Sequence, residues 1–291
     1  MRTARQSLQD ACLFSAQGFR HHAYAAAPRL SIKRMFNGTA TYRVGRAWFA
    51  VDETGYLILN EGQDYEIQID SPTRLQSFVV YFPHGWAQDV LRNFVTPEDK
   101  LLDDPESPAG PVHFFEKLSP HDEILSPAIA SLRREHQSGL LSDVLVEERM
   151  RGLLARMLQA QRASFRGMDH VRALRASTRA ELWRRLHRAR DFIRARANTP
   201  LSISEMAASA CLSPFHFMRA FKATFRMTPH AYLSQCRVEC AKFLLERTAL
   251  PVTQVCLETG FESLGTFSTW FSRFTGESPR AWRTKRAGLK K

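Results

Sequence analysis

The chain has few cysteines, and their spacing matches neither a disulfide framework nor a zinc site. There are five in 291 residues, at Cys12, Cys211, Cys236, Cys240 and Cys256. Only Cys236 and Cys240 are close enough to share a helix face, and no second His or Cys pair completes a metal site. We therefore expect reduced thiols, small buried residues at Cys236 and Cys240, no bound metal, and a cytoplasmic protein.

Long apolar runs are also missing. No stretch approaches the roughly 20 apolar residues of a membrane-spanning helix, and the first residues lack the apolar core of a signal peptide. Neither membrane association nor export is expected. At 291 residues the chain is long enough for two domains that each bury a core.

Acidic residues are scarce towards the C-terminus. Residues 161–291 carry 24 Lys and Arg but only 9 Asp and Glu, whereas the first 160 residues carry 17 and 20. All the excess positive charge therefore lies in one region. A basic surface can serve solubility alone, but an excess segregated in this way is typical of a surface that neutralises phosphates.

The basic region contains one sequence unit written twice. At an offset of 50 residues, the segment from Ser213 to Tyr232 coincides with the segment from Ser263 to Trp282 in a serine, two phenylalanines, a hydroxyl residue before proline and a terminal aromatic. Upstream the offset is 49, and the extra residue lies in the turn beside Gly260. A repeat of this kind indicates two copies of one supersecondary unit.

Each copy is predicted to fold as helix, turn, helix. In the first copy Ser202 and Glu205 form a capping box, and Ser213 followed by Pro214 starts a second helix. Aromatic residues at helical spacing form the buried stripe of each second helix: Phe217, Phe221 and Phe225, then Phe267, Trp270, Phe271 and Phe274. A short helix under a second helix with a free outer face is the helix-turn-helix arrangement.

The outer face of the first motif supplies candidates for reading DNA bases. Arg219 has a guanidinium that can bond both major-groove acceptors of guanine. Phe215 and Met218 offer contacts to thymine methyl groups, with packing at the helix edge as the alternative, and His216 offers a hydrogen bond. Lys222 is predicted to contact phosphate, which fixes register without reading sequence.

The second motif offers shorter side chains. Its outer face carries Gly265, Thr266 and Thr269, while Arg273 and Arg283 are predicted to contact phosphate. We expect this motif to contribute backbone contacts and shape reading, and most base specificity to lie in the first motif.

These residues resemble a known family. The similarity is to the two-motif DNA-binding domain of the AraC/XylS transcription regulators, and it rests on Arg219-Ala-Phe-Lys222, Thr228-Pro-x-x-Tyr232, Arg237, Ala241, Leu244-Leu245, Gly260-Phe-Glu-Ser263, Phe267, Phe271 and Gly276-x-Ser-Pro-x-x-Trp282-Arg283. Arg226 stands where the first copy often has glycine, and Thr269 and Ser272 stand where arginine and lysine are common in the family.

The residues before the repeats predict a β-rich domain. Short stretches rich in aromatic and β-branched residues, separated by turn residues, predict strands in 31–44, 47–51, 55–60, 65–70 and 77–82. Ser71-Pro72 is predicted to separate the last two. Many short strands suggest a sandwich or small barrel, and together with the C-terminal domain they resemble the cupin-like jelly roll of many family members. The fold class is therefore α+β in two domains, an N-terminal cupin-like unit with following helices and an all-α C-terminal unit.

Aromatic residues are candidates to line an effector cavity in this β domain. They are Phe36, Trp48, Tyr56, Phe78 and Tyr81. Ordinary core packing is the alternative for each of them.

Helices are predicted after the β region, at 86–94 and 126–136, with a last strand at 112–118. A longer helix follows Ser142-Asp143, with apolar residues at Val146, Met150, Leu153, Leu154, Met157 and Leu158. This stripe either covers the barrel or forms the seam of a homodimer. Thr178 and Glu181 are predicted to cap the first helix of the DNA-binding domain.

The predicted domain boundaries follow from these patterns. They are a flexible lead at 1–14, an effector-binding and dimerisation domain at 15–160, a linker at 161–177 and a DNA-binding domain at 178–286, the last with helix-turn-helix motifs at about 202–225 and 252–275 joined by a helix at about 228–246.

The function predicted is that of a transcription regulator that binds specific double-stranded DNA and responds to a small molecule, with RNA polymerase as a partner if it activates. No cofactor and no catalysis are expected. One alternative is an enzyme, but a metal cupin needs a His-x-His, Glu, His set that is missing, and a DNA-alkylation repair protein needs an activated cysteine, for which Cys12 has no suitable setting. A nonspecific DNA-binding protein is the other alternative.

Overall fold

In the computed structural model, residues 12–95, 111–139, 141–166 and 176–287 are described. They form two compact units, which divide mainly after residue 167. The first contains β1 (Leu13–Ala25), β2 (Ser31–Phe36), β3 (Ala40–Val44), β4 (Ala47–Val51), β5 (Gly55–Leu59), β6 (Tyr65–Tyr81), α1 (Trp86–Val95), β7 (Leu118–Pro120), α2 (Ser126–Ser138) and α3 (Asp143–Arg166). The second contains α4 (Ala176–Ala195), α5 (Ile203–Ser209), α6 (Pro214–Phe225), α7 (Pro229–Arg247), α8 (Val252–Glu258), α9 (Leu264–Thr275) and α10 (Pro279–Ala287). Within these ranges no helix is both long and apolar enough to cross a membrane.

The strands of the N-terminal unit form one sheet in the order β4-β3-β6-β2-β5-β7, with β1 also paired to β6. β6 is 17 residues long. One of its edges pairs with β1 from end to end, and its other edge pairs first with β3 and then with β2. All three pairings are antiparallel. This single strand therefore joins both parts of the sheet.

β6 curves strongly, which closes the sheet into a barrel-like unit. Tyr65 and Tyr81 begin and end this strand and would lie about 50 Å apart if the strand were straight. Their hydroxyl oxygens nevertheless lie 3.0 Å and 3.2 Å from Nζ of the same residue, Lys33. Pro72 lies in the middle of β6, opposite a register shift in β1, and prolines within strands are typical of such irregular points.

The structure corrects several predictions for the strands. The sequence predicts a flexible lead up to residue 14, whereas β1 already begins at Leu13, and residues 1–11 lie outside the described residues. β1 itself is not predicted, because most of its side chains are exposed and show no polar-apolar alternation. The predicted break at Ser71-Pro72 lies inside β6. Of the strand predicted at 112–118, only Leu118 is in a strand, β7.

Helix α3 covers one face of the sheet. All its predicted apolar positions are buried in a core that also contains Phe78 and Val80 of β6: Val146, Met150, Leu153, Leu154, Met157 and Leu158. The stripe therefore covers the barrel, as one of the two alternatives predicts, and the homodimer stays a prediction. The predicted helices near 86–94 and 126–136 are confirmed as α1 and α2.

The segment predicted as a linker is partly helical. α3 continues to Arg166, and residues 167–175 lie outside the described part of the chain. The capping box predicted from Thr178 and Glu181 is wrong, because α4 already includes Ala176. Glu181 instead accepts a hydrogen bond from Arg185 at 2.8 Å, one turn further along the helix.

The C-terminal unit consists of two small cores that share α7. One core joins α4, α5, α6 and the first part of α7, and the other joins the last part of α7, α8, α9 and α10. Phe217 and Phe221 in the first and Phe267 and Phe271 in the second are fully buried at corresponding positions. The predicted repeat is thus confirmed, with first helices of 7 residues and second helices of 12 in both copies.

Side-chain caps begin the helices where the sequence predicts them. Ser202 and Glu205 form the reciprocal capping box, and the hydroxyls of Ser213 and Ser263 each accept the backbone N–H three residues later. The turn residues after α6 and α9, Arg226 and Gly276, have φ of 59° and 78°. The first copy therefore keeps the left-handed turn without its usual glycine. The α+β fold with a β-rich N-terminal unit and a helical C-terminal unit is confirmed.

The turn of the second motif packs against the loop before the first motif. Gly260 has φ of +82°, and a Cβ atom there would lie 3.0 Å from the carbonyl oxygen of Ala197 and from the carbonyl carbon of Asn198. This close approach requires glycine for two reasons, its backbone angle and the absence of a side chain.

Gly260→Ala is expected to lower the free energy of unfolding by about 1–3 kcal/mol, since the left-handed angle and the contact with backbone both oppose a methyl group. Gly276→Ala is the matched control. It has a similar φ of +78° but nothing within 4 Å of the added Cβ, so only the angle opposes it. Urea unfolding measures the loss of unfolding free energy in each variant. Equal losses in the two variants would show that the packing against Ala197 and Asn198 is unimportant.

Candidate nucleic-acid interface

The first motif presents an exposed face on α6. All five candidates of this motif lie in it and are exposed: Phe215, His216, Met218, Arg219 and Lys222. Phe215 is 68% and Met218 43% exposed, whereas Phe217 and Phe221 on the opposite face are fully buried. The structure therefore does not pack Phe215 and Met218 at the helix edge. The helix packs on the core through the face that carries Phe217 and Phe221, and the outer face of its first two turns is open to solvent.

The exposed face of α6 carries positive charge and no acid. The guanidinium carbon of Arg219 lies 5.6 Å from the ring centroid of Phe215, one turn earlier on the helix. This contact orients Arg219 along the exposed face. Lys222 continues the same face, and the helix contains no Asp or Glu. A planar guanidinium here suits the paired acceptors of guanine in a major groove.

The second motif presents a smoother face on α9. Leu264, Gly265, Thr266, Thr269 and Arg273 are all exposed. The hydroxyl of Thr269 donates to the carbonyl oxygen of Gly265 at 2.9 Å, and the backbone N–H of Thr266 donates to the cap Ser263. A Cβ added to Gly265 would meet nothing within 4 Å. The surface therefore offers close approach to backbone and few free donors, which supports the predicted role in shape reading.

Leu264 also belongs to this face, although it is not among the contact residues predicted from the sequence. It is 44% exposed and occupies the first position of α9, which matches Pro214 in the first copy. The offset of the repeat was the available signal. An exposed leucine at this position extends the apolar contact surface for thymine methyl groups.

The two predicted phosphate contacts of the second half differ in exposure. Arg273 is exposed on α9, with its guanidinium carbon 5.1 Å from the ring centroid of Trp270. Arg283 lies on α10 and is only half-buried, but its Nε and Nη2 atoms are buried and have no hydrogen-bond partner among the described residues. The phosphate contact predicted for Arg283 stays a prediction.

Helix α7 sets the separation of the two motifs. It has 19 residues, which is about 28 Å at 1.5 Å per residue. This is close to the roughly 34 Å of one turn of DNA. α6 packs against the first part of α7 and α9 against its last part, so the shared helix holds the two recognition helices apart.

The five aromatic candidates of the N-terminal unit do not form one group. Tyr56 and Phe78 are buried in the core beneath α2 and α3, and Phe36 packs against the same core. Strand alternation places these three on the face of the sheet that the helices cover, which favours the alternative of core packing. Trp48 is half-buried in β4. Tyr81 lies on the opposite face of the sheet, where it contacts a buried lysine, Lys33, that the sequence does not predict as a site residue.

The histidines of the N-terminal unit make local contacts. His22 and His84 pair with Glu66 and Glu61 at 2.6 Å on the surface, and the hydrogen bond that Glu61 accepts from His84 raises the pKa of His84. In the part of the chain that the structure describes, no group of three or more His, Cys, Asp or Glu side chains is placed to hold a metal ion.

Two helix-turn-helix motifs on one shared helix, with basic exposed faces, define a DNA-binding domain of the two-motif class, and a barrel-like β unit precedes it. The comparison with known families agrees. Residues 12–154 match the family model described as AraC-like ligand binding domain, and residues 206–285 match a helix-turn-helix domain. The chain belongs to the AraC/XylS family of transcription regulators. This is a family of regulators and not, in general, of enzymes.

Several known proteins resemble parts of the chain. The probable transcriptional regulator LumQ of Photobacterium leiognathi is 33% identical over 89 residues, 31% of this chain and 36% of that protein. The HTH-type transcriptional regulator ArgR of Pseudomonas aeruginosa is 27% identical over 168 residues, 57% of this chain and 47% of that protein. The match thus spans less than half of either relative. Among solved structures, the C-terminal domain of AraT, a response regulator from Geobacillus stearothermophilus, is 28% identical with a TM-score of 0.34, over 35% of this chain and 85% of that one.

Proposed function

We propose that this protein is a sequence-specific DNA-binding transcription regulator whose N-terminal unit holds a small-molecule effector. The observation that carries the proposal is the pair of exposed recognition helices, α6 and α9, at the two ends of α7 in the basic part of the chain. Each helix has a fully buried aromatic stripe and an open opposite face. One polypeptide then reads a long asymmetric site.

The partners in this proposal are double-stranded DNA, a small-molecule effector and, if the protein activates, RNA polymerase. None of the five cysteines, all of which the structure describes, forms a disulfide, which is in keeping with a cytoplasmic protein. We propose no catalytic role. Pairing into a homodimer would use a surface other than the buried stripe of α3, and sedimentation at rising protein concentration measures it.

Selection of genome fragments by the purified protein at near-physiological salt tests the proposal. The selection is run twice, with and without the small-molecule fraction of a cell extract. A shared asymmetric motif of about two helical turns is expected among the retained fragments. Retention without any shared motif in both runs would instead indicate the alternative of nonspecific DNA binding.

Arg219→Ala is expected to reduce affinity for the selected site by about 5- to 150-fold, the equivalent of 1–3 kcal/mol, and to relax preference at one base pair. Its exposed guanidinium beside Phe215 is the longest donor on the α6 face. Thr269→Ala should leave base preference nearly unchanged. Titrations against the site and against single-base variants of it measure both effects.

Lys222→Ala is the control for the Arg219 result. It removes one charge from the same face of α6. Binding to all DNA sequences should therefore weaken about equally, and the slope of log affinity against log salt concentration should fall by about 1. If Arg219→Ala behaved in this way and Thr269→Ala relaxed specificity, the roles assigned to the two motifs would be reversed.

A further inference from the structure

A lysine is buried on the face of the sheet that α2 and α3 do not cover. Lys33 lies in β2 opposite Leu57 and Val79 and is 1% exposed. Its Nζ donates to the hydroxyls of Tyr65 and Tyr81 at 3.0 Å and 3.2 Å. It also lies 4.8 Å and 4.3 Å from the centroids of the same two rings. The ammonium group is thus surrounded by two phenols.

This cation has no counter-ion in the described part of the chain. Neither of its hydrogen-bond partners is a carboxylate, and no ion pair of Lys33 occurs among the described residues. A second cation is near, because the guanidinium carbon of Arg29 lies 5.2 Å from the centroid of the Tyr81 ring. Burial, and secondly the charge of Arg29, lower the pKa of Lys33 from 10.5 to about 7. A buried charge without an opposite charge is costly to a fold, so its presence calls for an explanation.

The surroundings of Lys33 are suited to an amphiphilic acid. Buried apolar or aromatic side chains share its face of the sheet: Met35, Tyr42, Leu57, Leu59 and Val79. A phenol that accepts a hydrogen bond from an ammonium still has its own proton to donate. Donors therefore converge at one point of a largely apolar interior. Tyr81 is half-buried and Arg29 is exposed, so the cluster reaches solvent at this end.

We propose that the cluster of Lys33, Tyr65 and Tyr81 binds the carboxylate of the effector, with the apolar part of the molecule against the neighbouring side chains of the sheet. This rests on the proposed function, since it assigns a chemical class to the effector of that regulator. A carboxylate supplies the missing negative charge and accepts from the ammonium and a phenol together, and such charge-assisted hydrogen bonds are about twice as strong as neutral ones. A neutral ligand would leave the charge uncompensated.

Matched acids and amides test the assignment on the full-length protein. Hexanoate is compared with hexanamide, and phenylacetate with phenylacetamide, by calorimetric titration near pH 6.5. At least one acid is expected to bind about 10- to 100-fold more tightly than its amide, and Lys33→Met should abolish this preference. Lys117→Met is the control, because it removes the same charge from a half-exposed position in the same unit.

Equal binding of acids and amides, no binding of either acid, or an unchanged preference in Lys33→Met would each overturn the assignment. If Lys33→Met did not fold, Tyr81→Phe would replace it, since this variant keeps the charge and removes one phenolic hydroxyl. It should weaken the binding of acids more than the binding of amides. The same preparations are carried through the fragment selection. A DNA motif without acid binding overturns only the carboxylate site, whereas the absence of a motif bears on the regulator itself.

A second readout checks that Lys33 is uncompensated in the free protein. Without ligand, Lys33→Met should unfold at a higher temperature than the wild type near pH 7, because it removes a buried charge. The groups that face Lys33 are Tyr65, Tyr81 and, more distantly, Arg29. Between pH 7 and 10.5 the unfolded lysine is protonated and the folded one is not, so wild-type stability should rise relative to the variant. If the difference in stability between Lys33→Met and the wild type increased with pH, the cluster as described would be contradicted.

Discussion

Phe217→Ala is expected to lower the free energy of unfolding by about 3–5 kcal/mol and to abolish DNA binding by the first motif. Phe217 is 0% exposed and lies in the core of the first motif with Met206, Ala207 and Leu233. Its ring meets that of Phe221 edge-on at 5.3 Å. Removal leaves a cavity between α5, α6 and α7 that a small helical unit has few means to close. Chemical unfolding followed by circular dichroism, together with binding to the selected site, measures the two losses.

Phe215→Ala provides a matched control two residues away on the same helix. Phe215 is 68% exposed, so its removal should change stability by no more than about 0.5 kcal/mol. DNA affinity should still fall, because the ring lies on the open face and supports Arg219. A loss of stability as large as that of Phe217→Ala would mean that this face is packed in solution, and the DNA interface assigned to α6 would then be wrong.

Arg237→Met is expected to cost about 3 kcal/mol or more of stability and to uncouple the two motifs. Arg237 is half-buried in the middle of α7. Its Nε donates to the carbonyl oxygen of Ala197 at 2.8 Å and its Nη2 to that of Thr199 at 3.1 Å, and its guanidinium carbon lies 5.6 Å from the ring centroid of Phe261. One side chain therefore ties the loop before the first motif to the turn of the second. Hydrogen bonds from a charged group are worth about 1.5–3 kcal/mol each.

The DNA readout separates coupling from simple instability. If Arg237 helps to hold α6 and α9 at one spacing, its loss should weaken binding to the full site much more than binding to either half of it, since the second contact is then no longer pre-positioned. Arg247→Met removes the same charge from an exposed position on the same helix and should affect full and half sites alike. If Arg237→Met lost the same factor of affinity on the full site and on the half sites, α7 alone would maintain the spacing of α6 and α9.

The helical unit illustrates what local patterns predict well. Ser202 with Glu205, and Ser213 with Pro214, act over three or four residues, and the structure has the corresponding capping box and helix start at those positions. The aromatic stripes repeat at the period of a helix, so burial of Phe217 and Phe271 follows from sequence alone. Repetition strengthens this prediction, because two copies of the same pattern must satisfy the same packing.

The strands illustrate where local patterns fail. β1 has mostly exposed side chains, so nothing in its own sequence shows that it pairs with β6 along 12 positions between Leu13 and Ala25. Pro72 is normally a sign that a strand ends, yet β6 continues through it, since this point lies opposite a register shift. Thr178 and Glu181 have the spacing of a capping box but lie inside a helix. In each case the partner that decides the structure is distant in sequence.

The sequence alone is enough to predict the two-motif DNA-binding unit, the exposed base-reading candidates on α6 and the concentration of positive charge around them. Helix period, caps and charge are local properties, and the outward face of a short helix follows from its buried stripe. Only the folded chain shows which aromatics of the N-terminal unit are core and which contact Lys33. Tyr65 and Tyr81 are the two ends of one strand, and only its curvature brings their hydroxyls to the same ammonium group.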